Sequence, residues 1–348
     1  MSNYLRKTNI IKKKPELQDY SLSNNNIDDE YAEILKGMSI DKITELINKY
    51  PDYKYHKLIE SIKKEFKIKN VVLGCGSEDL IIRTNLLLRS KGEIGIFLPN
   101  FYRTLETAGN YKKIYSYYKT ESNIIDLENI SISKDIKSIW ISNPNPMNGK
   151  MYNKEQLSEL IKKYSEIIFI IDESTIDFIK DSNKYSLMGL AQKIDNIIII
   201  RSFSKLYGTA GLRVGFATGK AKILKEIEKV GLTFPVNGIA EYFINSIIKK
   251  KKIINNIRKR INKHKILLEK LLSNNKDIII SKSVTNCIFF KHKKVNIFNE
   301  LLNMNILALS LNDQDEIINK GFVRLTVHSS EILFSNLYNR ITKLLKNI

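Results

Sequence analysis

The chain alternates between short runs that are apolar at nearly every position and longer stretches whose apolar residues recur every three or four positions. The runs are Val71-Val72-Leu73, Ile94-Gly95-Ile96-Phe97-Leu98, Ile139-Trp140-Ile141, Ile167-Ile168-Phe169-Ile170-Ile171 and Ile197-Ile198-Ile199-Ile200. Runs this short and β-branched predict strands, and the last is too apolar to be anything but a buried, parallel one. Between them, Ile40, Ile43, Leu46 and Ile47 keep a helical period that stops at Pro51, and a second helix is predicted from about Lys57 to Phe66. From about Lys220 the pattern is helical again. Leu232 to Asn237 interrupts it, and one long helix is predicted from there through Leu272. Strands follow at Ile278–Ile280, Asn286–Phe290 and near Ile306–Leu309, with a helix at Ile297–Asn303 between them. A strand over Phe322–His328 and a last helix close the chain. The expectation is an α/β protein with a large domain over 36–230, a smaller α+β domain over 231–348 and an N-terminal arm over 1–35 without a core of its own. Asn24-Asn25-Asn26 reads as loop.

Three strand ends carry candidate chemistry. After Ile200 come Ser202, Ser204, Lys205 and, eight residues beyond the lysine, Arg213. Ligands of open α/β sheets sit at such ends. A lysine packed among apolar residues loses solvation, which lowers its pKa and makes its amine nucleophilic. Hydroxyl and guanidinium together suit a phosphate dianion. Val72-Leu73-Gly74-Cys75-Gly76-Ser77-Glu78 reads as strand, glycine turn and helix start, a second place for an anion. Its Gly-x-Gly-x-x-Gly pattern is incomplete, which disfavours a dinucleotide. Asp172 ends the run Ile167–Ile171, and a buried carboxylate is costly unless a cation pairs with it. Each feature has a plainer reading: a solvated lysine, Ser77 as a helix cap, Asp172 as a helix cap.

Composition narrows the classes. The 348 residues carry a formal net charge of +20. The lysines are spread through the chain, and the densest run, Lys249 to Lys252 followed by Arg258-Lys259-Arg260, reads as a solvated helix face rather than a nucleic-acid patch. The positive field favours an anionic small-molecule substrate. No run reaches the length of a membrane span, and Met1-Ser2-Asn3-Tyr4-Leu5-Arg6 lacks an apolar signal core, so a cytoplasmic protein is expected. Cys75 and Cys287 offer neither a disulfide framework nor a metal cluster.

Ser202-Phe203-Ser204-Lys205 followed by Gly211-Leu212-Arg213-Val214-Gly215 resembles the lysine segment of fold-type I pyridoxal-phosphate enzymes. It looks most like the histidinol-phosphate aminotransferase branch, which includes the threonine-phosphate decarboxylase of cobalamin synthesis. The resemblance implies a mostly parallel sheet sandwiched by helices, with pyridoxal 5'-phosphate (PLP) bound covalently to Lys205. Ser202, Ser204 and Arg213 would bind the cofactor with the cup Gly76-Ser77-Glu78, and Asp172 would face its ring nitrogen. Phe101, two residues after Pro99, would stack on the ring. Asn143-Pro144-Asn145-Pro146-Met147-Asn148-Gly149 resembles the family's ring-hydroxyl loop imperfectly. One reading puts Asn145 at the contacting position and the ungapped one puts Pro146 there. Tyr50 matches a tyrosine that reaches the neighbouring subunit's phosphate, which implies a homodimer. Arg324 matches the substrate-carboxylate arginine. Thr175 stands where the aminotransferases have a tyrosine, no arginine lies near Leu309, and His328 stands where they usually have glycine.

Thr175, His328 and Tyr50-Pro51-Asp52 favour decarboxylation of a small O-phosphorylated amino acid, with His328 either on the substrate phosphate or capping the last helix. The alternative is an aminotransferase moving an amino group between glutamate and a phosphorylated small substrate. A nucleic-acid-binding or sensory protein on the same fold is the rival of a different class.

Overall fold

In a computed structural model, residues 14, 16–115, 125–311 and 321–348 are described, so the first part of the N-terminal arm lies outside them. The large sheet is built from β2 (Val72–Cys75), β3 (Glu93–Phe97), β4 (Lys112–Tyr115), β5 (Ile136–Ser142), β6 (Ile168–Asp172), β7 (Ile197–Ser202) and β8 (Val214–Gly219). Its order is β2-β8-β7-β6-β5-β3-β4. Pairing from β7 through β4 is parallel, while β8 runs antiparallel to both β7 and β2. Successive residues of a strand point to opposite faces, and the apolar runs use both. Ile139, Ile141, Phe169, Ile171, Ile197 and Ile199 enter one core, whereas Trp140, Ile170, Ile198 and Ile200 enter a second on the other face. Neither face meets water, which is why these strands read as unbroken hydrophobic runs.

Register places the chemistry. Ser142 pairs with Asp172, and Asp172 pairs with Ile200, so β5, β6 and β7 end at one rim. The smaller unit is an antiparallel sheet of β9 (Ile278–Ser281), β10 (Cys287–His292), β12 (Leu309–Ser310) and β13 (Val323–Thr326), in the order β12-β13-β10-β9. β1 (Gln18–Asp19) pairs in parallel with β11 (Ile306–Leu307). The last helix, Glu331–Leu344, is capped by Ser330 and covers the small sheet with its buried Phe334, Leu337 and Ile341. No helix among the described residues is long and apolar enough to cross a membrane.

Three expectations change. The long helix is two, Gly238–Ile247 and Lys251–Ser273, separated where the four consecutive lysines begin. Adjacent like charges, with Lys249 and Lys252 three apart, disfavour one continuous turn there. The strand near Ile306–Leu309 is two short strands serving different sheets, β11 and β12. β4 and β8 were not foreseen, β8 because its sequence Val-Gly-Phe-Ala-Thr-Gly carries too few large apolar side chains to stand out.

Beneath the rim lies a charge network that the apolar pattern hides. Arg201, on β7, is buried, and donates from Nη1 to Glu173 at 2.9 Å and from Nη2 to Asp177 at 2.5 Å. Glu173 also accepts from the Ser186 hydroxyl and the Leu187 amide, each at 2.7 Å. Burial pushes the Glu173 carboxyl up, against the pull of the Arg201 guanidinium. Arg201→Leu leaves two carboxylates without their cation, and a broken buried pair costs about 3–5 kcal/mol. The expected result is a loss of that size in denaturant unfolding, and a loss below about 1 kcal/mol, the centre of the range for point substitutions in general, contradicts the network's role.

Candidate active site

Lys205 follows β7 directly and its amine sits in a cavity of about 520 Å³ whose lining includes Ser77, Phe101, Asp172, Ser202, Arg213 and Arg324. The structure thus brings together residues from five separate stretches of sequence. A larger open groove of about 740 Å³, between the helices His56–Phe66 and Ala221–Lys229, holds none of these six side chains. Burial and the nearby Arg324 lower the Lys205 amine to about 8, while Asp172 pulls the other way. Asp172 accepts the Ser174 amide at 2.9 Å, and burial pushes its carboxyl up.

The two anion elements meet physically. Arg213 has a left-handed backbone (φ 55°) and donates from Nη1 to the Ala210 carbonyl at 3.0 Å and to Ser204 Oγ at 3.5 Å. Gly76 has φ 75°, and a Cβ there would strike the Arg213 guanidinium. A Cβ on Gly215 would stand 2.6 Å from the Ser77 amide nitrogen. Glycine at these two positions lets the helix start at Gly76 close onto the Arg213 turn. Ser202 Oγ accepts the Ser204 amide at 3.1 Å, which folds the chain back at the strand end. Glu78 lines the cavity and accepts from Arg103 at 2.9 Å.

Other expected residues stand as follows. Asn145 spends its side chain tying its loop to the end of β3, donating to the Pro99 carbonyl at 2.5 Å and accepting the Met147 amide at 2.8 Å. Pro146, not Asn145, reaches the cavity. Thr175 lines it and donates to the Pro144 carbonyl at 2.9 Å. Arg324, on β13, donates to the Pro146 carbonyl at 2.8 Å and the Ser21 carbonyl at 2.5 Å, with its Nε unpartnered. The strand ends at Thr326, so His328 does not share the face of Arg324 and does not line the cavity. Its Nδ1 accepts the Asn26 amide at 3.1 Å, and burial holds its pKa down at about 4. Tyr50 is 83% exposed and stacks on Phe234 with ring centroids 4.8 Å apart. Sequence reasoning missed the arm: Ser21, Ser23 and Asn24 line the cavity, and Lys205 donates to Ser23 Oγ at 2.9 Å.

This donor set fits PLP on structural grounds. The glycine cradle, the Ser77 and Ser202 hydroxyls and Arg213 could hold a phosphate. A buried carboxylate at Asp172 could face a cationic ring nitrogen. Phe101 offers an apolar face at the cavity wall, and the amine of Lys205 could serve as the nucleophile. Among the described residues no group of His, Cys, Asp and Glu could hold a metal ion.

A family model described as aminotransferase class I and II matches residues 19–341. The chain belongs to this family. PLP is its cofactor. Among the family's curated members, a histidinol-phosphate aminotransferase of Pelagibacter ubique is 30% identical over 296 residues, which is 82% of each chain. The crystal structure of the histidinol-phosphate aminotransferase from Clostridium acetobutylicum superposes with a TM-score of 0.83 at 25% identity, covering 95% of this chain and 100% of that one. The histidinol-phosphate aminotransferase from Sinorhizobium meliloti, solved with pyridoxal-5'-phosphate, superposes at 0.82 with 13% identity over 98% of this chain and 94% of that one, a likeness of fold.

These relatives correct the expected reaction. Further curated relatives at 27–30% identity carry the same aminotransferase name, whereas the solved decarboxylases resemble the chain at 16% and 20% identity, which speaks for fold alone. Three of the residues that had favoured decarboxylation have structural tasks. Thr175 pins the Pro144 loop, His328 holds the arm, and Asp52 accepts the amides of Lys54 and His56 at the start of a helix.

Gly215→Ala tests the cradle. The new methyl must displace the Ser77 amide or the Arg201 carbonyl, both backbone. PLP affinity measured by equilibrium dialysis should fall at least about tenfold, roughly the loss of one good hydrogen bond. Gly189→Ala, where a Cβ meets nothing within 4 Å, should match wild type. Equal affinity in both variants contradicts the cradle.

Proposed function

We propose that this chain is a PLP-dependent aminotransferase that exchanges an amino group between glutamate and a small phosphorylated substrate of the histidinol-phosphate kind. The observation that carries the reading is the convergence of Lys205, Asp172, Arg213 and Arg324 on one cavity in a chain whose curated relatives bear that name. PLP, when bound, supplies the electron sink that makes the substrate Cα–H acidic. The protein supplies the rest. Lys205 would hold the cofactor and, once released, would take up and return the Cα proton at Nζ. A pKa lowered to about 8 suits an amine that must do both near neutrality. Asp172 would keep the ring nitrogen charged, Ser77, Ser202, Ser204 and Arg213 would hold the cofactor phosphate, and Phe101 would offer its face to the ring. Arg324 exchanges its backbone carbonyl partners for a substrate anion, with bidentate geometry. The walls from Phe101, Tyr102, Pro146 and Met147 exclude water from the reacting carbon.

The test is amino transfer from histidinol phosphate to 2-oxoglutarate, followed as glutamate formed. Wild type should turn over, and Lys205→Ala should lose about 10²–10⁴-fold, the usual share of a positioned acid–base group. Faster release of CO2 than of glutamate from phosphorylated amino acids, or no transfer at all, contradicts the reading.

The same reading includes a homodimer. Tyr50 and Tyr53 stand exposed around Phe234, beside the exposed Ile47 and Leu232, an aromatic patch of the kind a symmetric partner covers. Tyr50 would reach the partner's cofactor phosphate. Sedimentation should give twice the chain mass, and Tyr50→Phe should weaken PLP binding without changing that mass. A fully active monomer contradicts it.

A further inference from the structure

We infer that Ser23, carried on a strap of residues 20–28, is a positioning residue for the Lys205 amine. The inference rests on the reading of Lys205 given above. Ser23 Oγ accepts from Lys205 Nζ at 2.9 Å, across 182 residues of sequence, and Ser23 lines the same cavity.

The backbone that carries Ser23 is fixed from both sides. Toward the small sheet, the Leu22 carbonyl accepts from the Thr326 hydroxyl at 2.5 Å, and the Asn24 carbonyl accepts from Asn286 at 3.0 Å. The Asn25 side chain, 1% exposed, then bridges the two sheets. Its Oδ1 accepts the Ser329 amide at 2.8 Å, and its Nδ2 donates to the carbonyl of Leu206, the residue after Lys205, at 3.2 Å. Gly208 lets the strap approach, since a Cβ there would stand 3.1 Å from the Asn25 carbonyl. A buried amide satisfied on both ends by different parts of the fold holds the strap in one place. Ser23 is therefore set against the lysine loop rather than resting on it.

An amine that takes up and returns a proton needs its lone pair held in one direction. Rotation about the Cε–Nζ bond scrambles that direction, and a fixed acceptor for one N–H removes the freedom. The charged and titratable groups whose field acts on the amine are Asp172 at the end of β6, Arg213 before β8, Arg324 on β13 and Cys287 on β10. Two of them are cations that cannot accept its proton. Ser23 is a neutral acceptor, so it orients the amine without trapping it as an ion pair.

The experiment compares wild type, Ser23→Ala and Ser23→Thr as full chains. In cofactor-free protein, the acetylation of Lys205 by acetic anhydride is followed against pH by peptide mass spectrometry. The wild-type midpoint is expected near 8. Ser23→Ala removes an acceptor that favours the ammonium, so its midpoint should fall by about half a pH unit. Ser23→Thr, which keeps the hydroxyl, should restore it. In the PLP-loaded enzyme, kcat for amino transfer should fall about tenfold in Ser23→Ala with KM unchanged, and recover in Ser23→Thr. An unchanged midpoint in Ser23→Ala, or an effect confined to KM, overturns the inference. The labelling needs no substrate, so a wild type that fails to transfer amino groups would sink the proposed function and leave this result readable.

Discussion

A buried carboxylate and a half-buried amine at the ends of adjacent strands set the terms for the rest of the molecule. Asp172 closes β6 and Lys205 follows β7, and each is displaced from its ordinary pKa chiefly by loss of water. Neither charge is tolerable in that interior without partners. The cavity adds two more cations, Arg213 and Arg324, and its other carboxylate, Glu78, already binds Arg103. Among the described residues the site is thus richer in positive than in negative charge, which suits an anionic ligand. The parallel register that aligns β5, β6 and β7, the glycine cradle at Gly76 and Gly215, and the Arg201 network under the rim all hold these charges where ligands can reach them.

The sheet and the lysine were legible because each leaves a local mark. Strands covered on both faces must be apolar at every position, so β5, β6 and β7 announce themselves. The residues after them stand at known points of the sheet. The arm left no such mark. Asn24-Asn25-Asn26 has the composition of a loop, and the groups that make it a strap, Leu206, Asn286, His328 and Ser329, lie far away in sequence. Polar side chains reveal their partners only in three dimensions.

The reaction type misread for the same reason. Thr175 and His328 differ from a familiar pattern, and a difference in pattern invites a chemical explanation. Here the Thr175 hydroxyl braces the loop that carries Pro146 into the cavity, and His328 receives the strap. His328 is held neutral by burial, which suits an acceptor for the Asn26 amide and not a phosphate clamp. Arg324 carries its own lesson. Its position on β13 was legible, but its partners, the carbonyls of Ser21 and Pro146, which tie the strap and the loop together, were not.

The central claim is that the amine of Lys205 is the one that carries PLP. Reduction of the cofactor-loaded protein with borohydride, followed by peptide mapping, tests it most directly. The account predicts one pyridoxyl-modified peptide, containing Lys205, and none in Lys205→Ala. A reducible protein–cofactor bond that maps to another lysine, or that survives in Lys205→Ala, would contradict it.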